Sequence, residues 1–130
     1  MNLESPKVSL DKSSEYLFNA LTDVKNFEKL MPDNIAKFEV IDENCFEFGL
    51  KGMPEIKLVK KEAIPNSKIV LGAASSKLPF TLIANITEIE ANKTDVQLSF
   101  DGEFNPMMAM MIKGPIGKFI ETLASNMHKL

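Results

Sequence analysis

The hydrophobic period of this chain becomes strictly alternating over its middle and helical at its end, and that constrains its fold more than any other feature. From residue 34 to about residue 102, apolar side chains recur at every second position in short runs. Phe38 and Val40 form the first run, then Phe46, Phe48 and Leu50, then Ile56 and Leu58. Ile69, Leu71 and Ala73 follow, then Phe80, Leu82, Ala84 and Ile86, and last Val96, Leu98 and Phe100. Successive strand side chains point to opposite faces, so such runs build a sheet with one apolar and one wet face. The breaks at Asp42-Glu43-Asn44, Lys51-Gly52-Met53-Pro54, Pro65-Asn66-Ser67, Ala74-Ser75-Ser76-Lys77 and Glu90-Ala91-Asn92-Lys93 are only a few residues long. Connections that short join antiparallel neighbours. The apolar face must then be covered.

The cover is encoded at the end of the chain, where the period becomes helical. Ile112, Ile116, Phe119, Ile120, Leu123, Met127 and Leu130 make one broad apolar stripe. Asn105 is placed to cap this helix, with Pro106 at its favoured first position. Met107, Met108, Met110 and Met111 open it, and methionine adapts to irregular apolar volumes. Gly114-Pro115 lies inside the pattern and predicts a kink or interruption, because proline removes the bond to the Met111 carbonyl. That break would either let residues 107–112 move as a lid or bend the helix statically to follow the sheet.

Before the alternating region, Asn2 to Leu10 reads as a first strand, with Val8 and Leu10 pointing one way. Asp11 is placed to cap a helix over Lys12 to Asp23, whose apolar side is Leu17, Phe18 and Leu21, with Ala20 allowing close approach. A short helix over Val24 to Met31 ends before Pro32, which disfavours helical geometry at the preceding residue. The order is strand, two helices, six strands, long helix. It predicts an α+β fold in which a curved antiparallel sheet of about seven strands wraps a C-terminal helix.

The chain has 130 residues, the size of one domain spanning residues 1–130. Its 15 basic and 18 acidic side chains give a net charge of −3, which argues against nucleic acid as a partner. Lys57, Lys60 and Lys61 cluster, and the reading for them is a solvated strand face. The single cysteine, Cys45, cannot form an internal disulfide, which fits a reducing compartment. With no apolar N-terminal run and no stretch near the roughly 18–20 residues of a membrane span, a cytoplasmic location is expected.

This layout resembles the helix-grip fold of the START-like superfamily, also called SRPBCC, which includes polyketide cyclase/dehydrase-like, coenzyme Q-binding and plant pathogenesis-related proteins. Three segments carry the resemblance locally. Glu15 to Asp23 is similar to the first helix of bacterial members, Leu30-Met31-Pro32 to the lead into their second strand, and Asn105-Pro106-Met107-Met108 to the opening of their long helix. The resemblance implies an apolar cavity between sheet and terminal helix that holds a lipid or another hydrophobic molecule, and in a few relatives catalysis. The plant members' glycine-rich loop has no counterpart in Asp42-Glu43-Asn44, and no pattern peculiar to coenzyme Q binding is present.

The apolar strand faces offer no group able to take a proton, which argues against an enzyme, provided that the register holds. A slip of one residue would turn Glu47, Lys57, Thr81 and Asp101 inward instead. His128 near the C-terminus lacks a partner, and it suits a helix end. Cys45 falls on the outward face, and Tyr16, the only tyrosine, suits surface packing. Neither a metal site nor a cofactor is expected. The reading that follows is a binding protein for a small hydrophobic or amphipathic molecule. Phe46, Phe48, Leu58, Phe80, Leu82 and Phe100 would form its sheet wall. Met107, Met108, Met111 and Phe119 would form its helix wall, with Phe27 and Met31 near the mouth. Two alternatives stand beside it: a cyclase/dehydratase-like enzyme using Tyr16 and Asp101, and a protein-interaction module, with room for a homodimer.

Overall fold

The computed structural model describes residues 2–33, 35–51, 55–73 and 80–130. The turns expected at residues 52–54 and 74–77 lie outside the described residues. The elements are β1 (Asn2–Glu4), β2 (Val8–Leu10), α1 (Ser14–Thr22), a 3-10 segment Val24–Leu30, β3 (Ile35–Asp42), β4 (Cys45–Leu50), β5 (Ile56–Ile64) and β6 (Lys68–Ala73). β7 (Phe80–Glu90), β8 (Lys93–Gly102), α2 (Pro106–Ser125) and a 3-10 turn Met127–Lys129 complete them. Among the described residues the sheet has 8 strands in the order β1-β8-β7-β6-β5-β4-β3, with β2 also on β8. Every pairing is antiparallel. This is the expected α+β helix-grip layout.

The eighth strand arises because the first one breaks at Ser5-Pro6-Lys7. Glu4 pairs with Ser99 and Val8 with Val96, so the N-terminal strand carries one residue more than its partner across the gap. Pro6 has no N–H to give the ladder. Ser5 fills in: its N–H donates to the Leu98 carbonyl at 2.8 Å, and its hydroxyl accepts the Leu98 N–H at 2.9 Å. The extra residue shifts the phase, so that Leu3 opposite Phe100 and Val8 opposite Val96 lie on one face. Further irregularities at Ile35/Lys37, Val40/Asp42, Lys60/Glu62 and Glu88/Glu90 bend the other strands, as a sheet must to close around a helix.

The alternation survives folding. Phe46, Phe48, Leu58, Ile69, Leu71, Leu82, Val96, Leu98 and Phe100 are buried. α2 meets them with Ile112, Ile116, Phe119, Ile120 and Leu123, while α1 contributes Leu17 and Leu21. Fully burying one such side chain is worth about 1.5–3 kcal/mol, so this shared core supplies most of the drive to fold.

The element ends correct three details. Ser13, not Asp11, caps α1, its hydroxyl accepting the Tyr16 N–H at 3.1 Å; the two residues between Asp11 and the first helical turn put that carboxylate out of place. The second short helix is 3-10, capped by the Asp23 carboxylate on the Lys25 N–H at 3.1 Å, and Met31 is extended before Pro32 as expected. α2 runs through Gly114-Pro115 without interruption. Pro115 and Met111 both face solvent, so water can satisfy the carbonyl that the proline leaves without a partner. Asn105 caps α2 as expected, its side chain accepting the Met108 N–H at 2.8 Å. At the far end the Asn126 amide donates to the Leu30 carbonyl at 3.1 Å, tying α2 to the 3-10 segment.

Candidate functional site

The aromatic residues of the concave face touch one another. Phe46 stacks on Phe27 at 5.1 Å between ring centroids and on Phe38 at 5.4 Å. Phe48 lies 6.1 Å from Phe46 and stacks on Phe119 of α2 at 4.8 Å, the planes 6° apart. One run of rings thus joins β3, β4, the 3-10 segment and α2. A second run joins Phe80, Phe100 and Phe104, at 4.9 Å and 6.2 Å. Such stacks contribute about 0.5–1.5 kcal/mol per pair beyond burial.

A cleft of about 360 Å³ opens where the first run reaches the surface. The α2 wall is Pro115, Lys118, Phe119 and Thr122, spaced so that they share one helix face. Leu50 at the end of β4, Lys51 just after it, and Pro32 and Asp33 ahead of β3 complete the described lining. Phe119, only 4% exposed, is the floor. The cleft is therefore amphipathic, with an apolar base and Asp33, Lys51 and Lys118 on its rim.

Of the residues expected to line a cavity, Phe27, Met31, Phe46, Phe48, Leu58, Leu82, Phe100 and Phe119 are buried in one core, and Phe80 and Met108 are half-buried against it. Only Phe119 borders this cleft. Met107 and Met111 face solvent, 75% and 71% exposed, as does Met110 at 83%. Helix geometry explains the difference. At about 100° per residue the stripe from Ile112 to Leu123 extends back to Met108, while Met107, Met110 and Met111 fall on the far side. Consecutive methionines cannot all face one wall, and that signal was in the sequence. Lys51 and Lys118 carried no periodic signal, but each directly adjoins an inward residue, Leu50 and Phe119.

The remaining candidates sit away from the cleft. Tyr16 is exposed, with the Lys12 ammonium 4.7 Å from its ring centroid, and Asp101 is exposed on β8. His128 is exposed at the helix end, its Nδ1 2.8 Å from the Ser125 carbonyl. Cys45, expected on the outward face, is buried; burial first, then the nearby Asp42 charge, pushes its thiol pKa up, the opposite of an activated nucleophile. Lys60 does not belong with Lys57 and Lys61 on a solvated face. Alternation puts it beside Leu58, and its ammonium donates to the Thr22 carbonyl at 3.2 Å, capping the C-terminus of α1. On the outer face Lys37 binds Glu47 at 2.6 Å, Glu55 at 3.3 Å and Glu39 at 3.7 Å. The hydrogen bond from Lys37 holds the Glu47 carboxyl below its ordinary pKa, and the glutamates raise Lys37. Among the described residues no three His, Cys, Asp or Glu side chains are grouped to hold a metal, and no helix is long and apolar enough to cross a membrane.

No family model matches the chain, and no curated protein matches it in sequence. Solved structures do match in shape. A norcoclaurine synthase point mutant from Thalictrum flavum, in complex with a transition-state analogue, superposes with a TM-score of 0.75 over 99% of this chain and 92% of its own, at 10% identity. A START superfamily protein from Mycobacterium smegmatis gives 0.71 over 98% and 94%, at 13% identity. The fold is START-like. The Aha1 dimer from Colwellia psychrerythraea also matches, at 0.58 over 91% and 90%, with 17% identity. Identities this low establish a START-like architecture and nothing finer, so the chemistry must be argued from the cleft itself.

Proposed function

We propose that this protein binds a small hydrophobic or amphipathic molecule, with the cleft between β4 and α2 as its point of entry. The supporting observation is that the cleft ends on Phe119, a ring stacked in series on Phe48 and through it on Phe46 and Phe27. A ligand's apolar part would lie on Leu50, Pro115 and Phe119, and rotation of stacked rings would extend the space toward Leu58 and Met31. The volume is near the lower end of the roughly 300–1,000 Å³ usual for ligand pockets, which favours a small molecule. Covering about 200 Å² of its apolar surface gives a ceiling near 5 kcal/mol, a Kd of about 0.2 mM before polar contacts are added.

The START-like neighbours support a ligand-binding reading by analogy of fold. Native mass spectrometry of protein purified from its own host, with NMR titration by fatty acids, isoprenoids and hydrophobic dyes, tests it. Binding that shifts the resonances of Leu50, Phe119 and Thr122 supports the reading. Absence of any endogenous molecule, together with no saturable shift from any probe, rejects it.

A second reading rests on the three exposed methionines at the start of α2, a contact face for a protein partner or a second copy. Sedimentation of the wild type and Met110→Lys tests the second copy: a wild-type dimer that the variant dissociates supports it, and a monomer at all concentrations excludes it.

A further inference from the structure

Resting on the cleft assignment above, we infer that its ligand is an amphiphile with a singly charged carboxylate head, held between Lys51 and Lys118. The two lysines come from separate parts of the fold, one just after β4 and one from the middle of α2, and both are exposed and line the same cleft as the buried Phe119. Lysines with structural roles in this fold are engaged: Lys37 with three glutamates, Lys60 with the end of α1. Among the described residues every salt bridge belongs to Lys37, and neither Lys51 nor Lys118 has a carboxylate within 4.0 Å. Among the described lining residues, two ammonium groups against the carboxylate of Asp33 make the cleft locally cationic on a chain of net charge −3. An anion is drawn to such a rim and a cation is turned away. Thr122, one turn beyond Lys118, adds a hydroxyl on the same helix face.

The residue types narrow the head group further. All 15 basic residues of the chain are lysine, so the rim offers point charges and no guanidinium fork for either carboxylate or phosphate, and charge balance decides between them. Lys51 and Lys118 less Asp33 leave one positive charge, which a carboxylate neutralises and a doubly charged phosphate monoester overshoots. Leu50, Pro115 and Phe119 supply apolar surface for the chain or ring attached to it.

The test is an NMR titration with the chain-matched series decanoate, decanol, decylamine and decyl phosphate, on the wild type and Lys51→Gln/Lys118→Gln. Two exposed contacts worth about 3-fold each predict decanoate binding about 10-fold tighter than decanol. Added salt should weaken decanoate and leave decanol unchanged. The double variant should bind the two equally, and Lys51→Glu/Lys118→Glu should prefer decylamine. Equal wild-type affinity for decanoate and decanol, or tighter binding of decyl phosphate than decanoate, overturns this inference while leaving the cleft reading intact. Failure of all four probes to shift cleft resonances overturns both.

Discussion

Replacing Phe119 with alanine should damage the core and enlarge the site together. The ring is 4% exposed and lies 4.8 Å from Phe48 with the planes 6° apart, so nearly all of its burial and one aromatic pair are lost. Truncating a buried phenylalanine costs about 3–5 kcal/mol, the transfer of the ring plus the void it leaves. At about 2.1 cal/mol/K per residue, the unfolding entropy of 130 residues is about 0.27 kcal/mol/K, so Tm should fall by about 10–20 °C. Urea unfolding followed by far-UV circular dichroism gives the free energy, and thermal scans give Tm. The void would connect the cleft to Phe48, and apolar voids take up small aromatics. Saturating benzene or indole should therefore restore part of the lost Tm in Phe119→Ala and leave the wild type nearly unchanged. In a cycle with Phe48→Ala the coupling should be about 0.5–1.5 kcal/mol. A loss under about 1 kcal/mol, or no rescue by either aromatic, would refute the claim that Phe119 is both a core anchor and the cleft floor.

Three further outcomes follow from the same geometry. Asn105→Ala removes the cap on α2 and should cost about 1 kcal/mol, read as a lower urea midpoint with an unchanged m-value. Glu47→Gln tests the Lys37 cluster: a carboxyl with a depressed folded pKa adds stability above its unfolded pKa and loses it as pH falls through the folded value. The wild type should therefore be the more stable at neutral pH, with the gap closing on acidification below the ordinary carboxylate range, as urea midpoints at a series of pH values would show. Cys45, buried and with its pKa raised, should react with a thiol reagent at least about 100-fold more slowly in the native state than in denaturant; comparable rates would contradict its burial.

Much of the architecture was legible because a half-buried sheet writes a period of two into its sequence. Phe46, Phe48, Leu58, Leu82 and Phe100 fall at every second position of their strands and are buried, and the Asn105-Pro106 opening of α2 is capped as its chemistry requires. The break at Ser5-Pro6 was not legible, because it depends on a serine side chain replacing a ladder bond with a strand more than 90 residues away. Cys45 alternates with Phe46 and was expected to face outward, yet it is buried, because strand parity does not report what covers a face.

By itself the sequence determined which side chains seek the interior, since transfer from water depends only on the residue and its spacing along a strand or helix. It thereby fixed the order of elements and the face on which the rings meet α2. Only the tertiary structure decided where that interior reaches the surface. Leu50-Lys51 and Lys118-Phe119 lie far apart in the chain, and folding alone brings two lysines and a buried ring to one cleft.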